Sequence, residues 1–153
     1  MTTMRAFENI DELVAAKGEH LGFGEWHEIT QDQVNLFADA TLDHQWIHID
    51  VEKAAQGPFG GPVAHGYLTL SLVPYLVRDV YTVKNIKMGV NYGSNKVRFP
   101  QPVLVGSRVR GGVELLDVSD IALGKQLVTK VVIEIEGSEK PACVAEIVSV
   151  IVP

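Results

Sequence analysis

The stretch Val63–Val80 constrains this chain more than any other. Leu68, Leu72 and Leu76 recur at i, i+4, and Val63, Tyr67, Leu70, Val73 and Val77 fill neighbouring positions. Apolar side chains then occupy most of a helix's circumference, which predicts a buried helix rather than one lying on a surface. Pro74 removes one backbone donor and should bend or interrupt it. Too little strand precedes this helix to cover it, so the cover has to follow. Ile86–Phe99 reads as a long extended segment, interrupted by Gly89 and Gly93 and ended by Pro100 and Pro102. Ser107–Val118 and Lys125–Glu136 read as a hairpin around Asp117–Gly124, and Ala142–Val152 as a last strand. The expectation is an α+β fold, one domain over residues 1–153, with an antiparallel sheet curved around one long central helix. Such a sheet leaves an edge, and pairing two copies edge to edge would cover it, which predicts a homodimer.

Hydrophobic residues make up 46% and charged residues 21%, as in an ordinary soluble globular protein. The formal net charge of −6 disfavours general binding to nucleic acid or anionic membrane. The charge is uneven: Arg78, Lys84, Lys87, Lys96, Arg98, Arg108 and Arg110 are relieved only by Asp79. This basic middle third reads either as a solvated face or as a landing site for the phosphates of a nucleotide-bearing carrier. The single Cys143 excludes an intramolecular disulfide and sits in an apolar run that suits an inert thiol. The first residues, Met1–Arg5, show no apolar export segment, and the apolar run Tyr67–Val77 is too short to span a bilayer. A cytoplasmic protein is expected.

Upstream, Asn9 with Glu12 and Thr30 with Gln33 mark two helix starts. Gly24–Ile29 alternates as a first strand. The second helix carries Val34, Phe37 and Ala38 on one face and ends near Ala40. A polar loop, Asp43-His44-Gln45-Trp46-Ile47-His48, follows, and Asp50 caps one short turn through Ala55. A turn-rich link, Gly57–Pro62, can lie over a pocket with Phe59 as its bulky side chain.

The loop puts a carboxylate five positions before an imidazole. Such a pair can share one water, with one group accepting a proton while the other donates or orients. It suits addition of water to a carbon–carbon double bond conjugated to a carbonyl. That reaction needs a donor for the carbonyl oxygen as the enolate develops, and unpaired N–H groups at a helix start serve. Ala64-His65-Gly66 opens the central helix, and Gly66 has no side chain to keep a thioester oxygen away. The plainer alternatives make Asp43 and His48 turn and surface residues, His44 exposed, Asp39 solvated, His65 a hydrogen-bonding residue of the helix start and Trp46 a loop anchor. His20, His27, His44, His48 and His65 lack close pairing at ligand spacing, so no metal site is expected.

Three segments together resemble the MaoC-like dehydratases, the (R)-specific enoyl-CoA hydratases of the hotdog superfamily, and especially their nodulation-protein-N-like branch. They are Phe37–Ala55, Ala64-His65-Gly66 and Asn91–Pro100, in that order. The resemblance implies a dimeric hotdog fold, no cofactor, and a fatty acyl thioester of CoA or acyl carrier protein as substrate. It implies reversible hydration of a trans-2-enoyl thioester to the (R)-3-hydroxyacyl thioester, in fatty acid metabolism. Asp43 and His48 match the catalytic pair and Gly66 the oxyanion donor. The chain departs from the family's Asp-x-Asn-Pro-x-His pattern at Gln45-Trp46.

The leading reading is therefore an enoyl thioester hydratase. Gln45, Asn91 and Asn95 are candidates to orient polar groups, Phe59, Tyr67 and Tyr92 to line an acyl tunnel, and Lys96 and Arg98 to meet carrier phosphates. The rivals are a thioesterase using the carboxylate to activate water, and a non-catalytic subunit that binds acyl thioesters.

Overall fold

A computed structural model describes residues 3–153; part of the N-terminal export reading falls on Met1 and Thr2, outside the described residues. Strand β1 (Arg5–Phe7) leads into helix α1 (Ile10–Ala15). Asn9 caps α1 by accepting from the Glu12 N–H at 3.0 Å, while the Glu12 carboxylate accepts from the Glu8 N–H at 2.7 Å. Thr30 caps helix α2 (Gln31–Thr41) and Asp50 caps the short helix α4 (Val51–Ala55) in the same way. Between them, α3 (Trp46–Ile49) turns the second half of the expected loop into one helical turn.

Of the expected strand, Gly24–Ile29, only His27–Glu28 forms a strand, β3, and a separate strand β2 (His20–Phe23) lies just before it. Gly24 lies between them. A Cβ there would sit 2.1 Å from the Leu76 carbonyl oxygen, so the chain passes close against the central helix while the Gly24 N–H still bonds to the Gly111 carbonyl of β6 at 2.8 Å. The strip β1 pairs in parallel with β4 (Tyr81–Val83), a clasp that nothing in the sequence announces.

Four long strands, β5 (Met88–Arg98), β6 (Arg108–Ile121), β7 (Gly124–Ile135) and β8 (Cys143–Val152), form the main sheet. The order is β2-β6-β7-β8-β5, antiparallel throughout, with β3 also on β6. The expected β6–β7 hairpin forms. Strand β5 does not pair with its successor β6; it crosses to the far edge and pairs with β8. One cross-strand row, Val97–Ala145–Val131–Val113, faces the core. The adjacent row, Lys96–Glu146–Lys130–Glu114, alternates in sign on the other face, where opposite charges across a ladder favour the register. Cys143 is buried on the core side, and burial pushes its thiol up to about 11, so it stays protonated.

The central helix is shorter than the sequence predicts. Val63 and Ala64 are extended and bond to the 103–104 segment, and the helix starts only at Gly66. It runs as α5 (Gly66–Ser71) and α6 (Val73–Leu76), with Leu72 ending one and beginning the other. Pro74, near the start of α6, has no N–H to continue the ladder. Leu68, Val73, Leu76 and Val80 are buried, but Tyr67, Ser71, Tyr75 and Arg78 form an exposed stripe. The helix is therefore covered on the sheet side and open on the other.

Candidate active site

Helix α2 ends at Leu42, an exposed leucine in the left-handed region with φ 63°. That reversal ends α2 and feeds the chain through Asp43 into α3, with His44 reaching back to Asp39 of α2 at 2.9 Å. Trp46 anchors the bend: its ring packs where a Cβ on Gly57 would be 2.9 Å away, and the Lys53 ammonium lies 4.7 Å over it. Trp46 thus does what its sequence position suggested.

His48 is 7% exposed. Its Nδ1 lies 2.6 Å from the Val63 carbonyl oxygen. A carbonyl only accepts, so Nδ1 carries the hydrogen, and the neutral ring presents its lone pair at Nε2. Among the described residues no group hydrogen-bonds to Nε2, and it is not sealed from solvent-accessible space. Desolvation lowers the His48 pKa from 6.5; the Val63 bond opposes this, nearby His65 adds to it and Asp43 opposes it. The ring is therefore neutral near pH 7.

One carboxylate oxygen of Asp43, one ring nitrogen of His48 and one of His65 all lie within 4.8 Å of one another. This corrects the expectation that the histidines lack close pairing at ligand spacing with carboxylates or thiols, and His48 and His65 are also stacked, centroids 3.8 Å apart and planes 21° from parallel. Ring-nitrogen lone pairs lie in the ring planes. Two stacked rings aim them side by side rather than at one ion, which is poor geometry for the short bonds of a zinc site. The same closeness suits a shared water.

A cavity of about 330 Å³ opens beside His48. Ile47, Phe59, Val63, Gly66, Thr69 and Phe99 are among its walls. Gly66 heads α5, and its N–H has no backbone partner among the described residues. The Phe99 ring would lie 3.2 Å from a Cβ at Gly66, so glycine lets the aromatic wall close against the helix start.

The other predicted contacts disperse. Gln45 reaches the pair through its backbone N–H, 3.4 Å from Asp43 Oδ1; its amide makes no hydrogen bond among the described residues. Phe59 lines the His48 cavity, while Tyr67 is 72% exposed and touches Phe99 edge-on at 6.3 Å. Asn91 lines a separate groove of about 550 Å³ between the helix and the sheet. Tyr92 and Asn95 line a different hollow, together with Gln126 of β7. Lys96 and Arg98 lie on the face of β5 away from Val97 and the core. Within one chain these five residues do not converge with His48. Three of the seven cations are paired: Lys84, Arg108 and Arg110 with Glu8, Glu136 and Glu134; Arg78 stacks on Tyr75. Lys87, Lys96 and Arg98 carry no ion pair among the described residues.

His65 is a hydrogen-bonding residue at the helix start, as expected, but its reach is longer than the sequence suggests. It is the N-cap of α5, yet its side chain makes no capping bond. Its Nε2 reaches instead to the Asp43 carbonyl oxygen, 3.0 Å away and 22 positions earlier in the chain.

Residues 12–138 match the MaoC like domain. The chain belongs to the MaoC-like family. It is 57% identical to the 3-hydroxyacyl-thioester dehydratase Z of Mycobacterium tuberculosis, over 94% of this chain and 95% of that one. It is 42% identical to nodulation protein N of Rhizobium leguminosarum bv. viciae, over 88% and 85%. The R-hydratase PhaJ1 from Pseudomonas aeruginosa superposes with a TM-score of 0.70 at 20% identity, covering 90% of this chain and 86% of that one. The fold of this MaoC-like chain is accordingly α+β and hotdog-like. Among the described residues no helix is long and apolar enough to cross a membrane.

Proposed function

We propose that the protein is an (R)-specific enoyl thioester hydratase, catalysing reversible addition of water to trans-2-enoyl thioesters in fatty acid metabolism. One observation carries this reading: the carboxylate of Asp43 and the imidazole of His48 lie within reach of one water, beside the first N–H of the central helix. Kinship with a protein named for dehydrating 3-hydroxyacyl thioesters supports the same direction of chemistry.

In this mechanism Asp43 and His48 hold a water facing C3 of the enoyl group. Its oxygen bonds to C3 as the conjugated π electrons move toward the thioester oxygen. The Gly66 N–H meets the charge that develops there. Asp43 and His48 relay the water's proton to C2, restoring the carbonyl. Atoms balance as the elements of water added across the double bond. Both groups approach from the side of one short bend, which fits addition to a single face.

The substrate is an acyl thioester of CoA or of acyl carrier protein, and the working unit is a homodimer. Strand β5 supports the dimer: its outer edge is unpaired, and Met88, Val90 and Tyr92 stand exposed on it. Such an edge favours pairing with a second strand. A second copy there could bring Tyr92, Asn95, Lys96 and Arg98 toward a neighbouring cleft, where the two cations suit the carrier's phosphates.

The test is loss of enoyl absorbance with crotonyl-CoA, followed by chiral analysis of the product. Formation of (R)-3-hydroxybutyryl-CoA without free thiol is the predicted result. Thiol release would favour the thioesterase; binding without turnover would favour a non-catalytic subunit.

A further inference from the structure

We infer that His65 is a positioning residue that locks Asp43 and His48 into one constellation and ties it to the start of the central helix. This rests on the hydratase reading above. His65 is 3% exposed and touches three parts of the site at once. Its ring stacks on His48, meets Phe37 of α2 at 4.9 Å between centroids, and donates from Nε2 to the Asp43 carbonyl. The next residue along the chain is Gly66. A single side chain thus connects the proposed acid–base pair to the proposed oxyanion donor.

The hydrogen-bond pattern argues that this polarity has a use. Because the Asp43 carbonyl only accepts, Nε2 carries the hydrogen and Nδ1 the lone pair. That Nδ1 is buried with no hydrogen-bond partner among the described residues. A buried unpaired acceptor is unfavourable, so a ring present only to fill space would serve better as phenylalanine. The bond at Nε2 gives the imidazole its purpose. Asp43 needs such a tie: it follows the left-handed Leu42, and its own side chain receives only the long 3.4 Å contact from Gln45.

The stack also couples the two rings electrically, since a positive charge on one disfavours a positive charge on the other. Few other charges face them. Asp43 approaches from the turn after α2, α2 itself contributes Phe37 and the Gln31 amide, which bonds to the His48 carbonyl, and the cavity walls are uncharged. The nearby Asp39–His44 pair lies on the exposed side. Replacing His65 should therefore move the His48 titration to higher pH, which a residue that merely fills space would not do.

The experiment compares His65→Phe, which keeps a ring and loses the donor, with His65→Gln, which can restore the donor without a titratable ring. For H65F, kcat on crotonyl-CoA should fall about ten- to a hundredfold with little change in KM, the scale expected when catalytic groups are misplaced. H65Q should recover part of that loss. In both variants the His48 imidazole, followed by NMR, should titrate at higher pH than in the parent. The NMR reading needs no turnover, so it separates this proposal from the hydratase assignment. A parent that does not hydrate crotonyl-CoA overturns the assignment, and the His48 titration then decides the positioning claim. Unchanged kcat in H65F, or an unmoved His48 titration in folded H65Q, overturns the proposal.

Discussion

Two hollows flank the interrupted helix, and they differ in a way that volume does not reveal. The larger, about 550 Å³, lies between the helix and the sheet with Leu70, Val77, Val131 and Ile147 among its walls. Its one titratable group is Tyr81, whose phenol is pushed up by burial and stays protonated. The smaller, about 330 Å³, holds His48 with a free Nε2, Asp43 alongside and the Gly66 N–H at its wall. Proton transfer needs groups that change charge near the working pH, so the smaller hollow is the one in which we propose the chemistry. The larger offers apolar surface and an amide, which suit holding a chain or a neighbouring subunit rather than reacting with it.

The sharpest way to break this contrast is to disable the smaller hollow. Asp43→Asn and His48→Gln should each lower crotonyl-CoA turnover by about 10²-fold or more with the fold retained by circular dichroism. Near-normal turnover in either variant would move the chemistry elsewhere. Gly66→Ala comes next: its methyl meets the Phe99 ring at 3.2 Å, and kcat/KM should drop about tenfold as the helix start shifts. Adding Phe99→Leu should return part of that loss, whereas Phe99→Leu alone should not stimulate the enzyme. Smaller again is the effect of pH. His48 must be neutral to act, and its pKa is depressed below 6.5, so kcat/KM should hold through pH 6.5 and fall only further to the acid side. The same depression makes the unfolded chain bind the proton more readily, so His48 causes stability to decline as pH drops below 6.5 and to level off below its folded pKa. An acid limb above pH 6.5 would contradict a desolvated His48. The least effect should come from the larger hollow: Asn91→Leu should leave kcat on crotonyl-CoA near the parent value while altering KM for longer acyl chains. A kcat loss matching His48→Gln would erase the distinction between the two hollows.

Legibility in the sequence follows the range of each interaction. The caps at Asn9, Thr30 and Asp50 were readable because donor and acceptor lie three residues apart. The β6–β7 ladder was readable because a turn joins its alternating arms. The partner of β5 was not, since β8 lies some fifty positions later and short-range pattern favours the next strand. Pro74 pointed to an interruption in the helix, but the delayed start at Gly66 depends on the Ala64 N–H bonding to the Val103 carbonyl, a contact across nearly forty residues. Within the candidate site, Asp43, His48 and Gly66 were picked out from chemistry and motif, and the fold brings Asp43 and His48 together and sets Gly66 and His48 on one cavity. His65 was readable as a hydrogen-bonding residue of the helix start, but its partner was not, because that partner belongs to the bend before α3, 22 positions earlier. Asn91, Asn95, Lys96 and Arg98 were chosen by residue type on one strand, and a strand's alternation together with its edge position sends them to separate surfaces.

A double-mutant cycle on kcat probes the shared-water claim most directly. Groups that act on one water as a unit lose their joint contribution when either is removed. The Asp43→Asn/His48→Gln double variant should therefore be no slower with crotonyl-CoA than the slower single variant. Losses that multiply would show the two side chains acting independently, and would contradict the account.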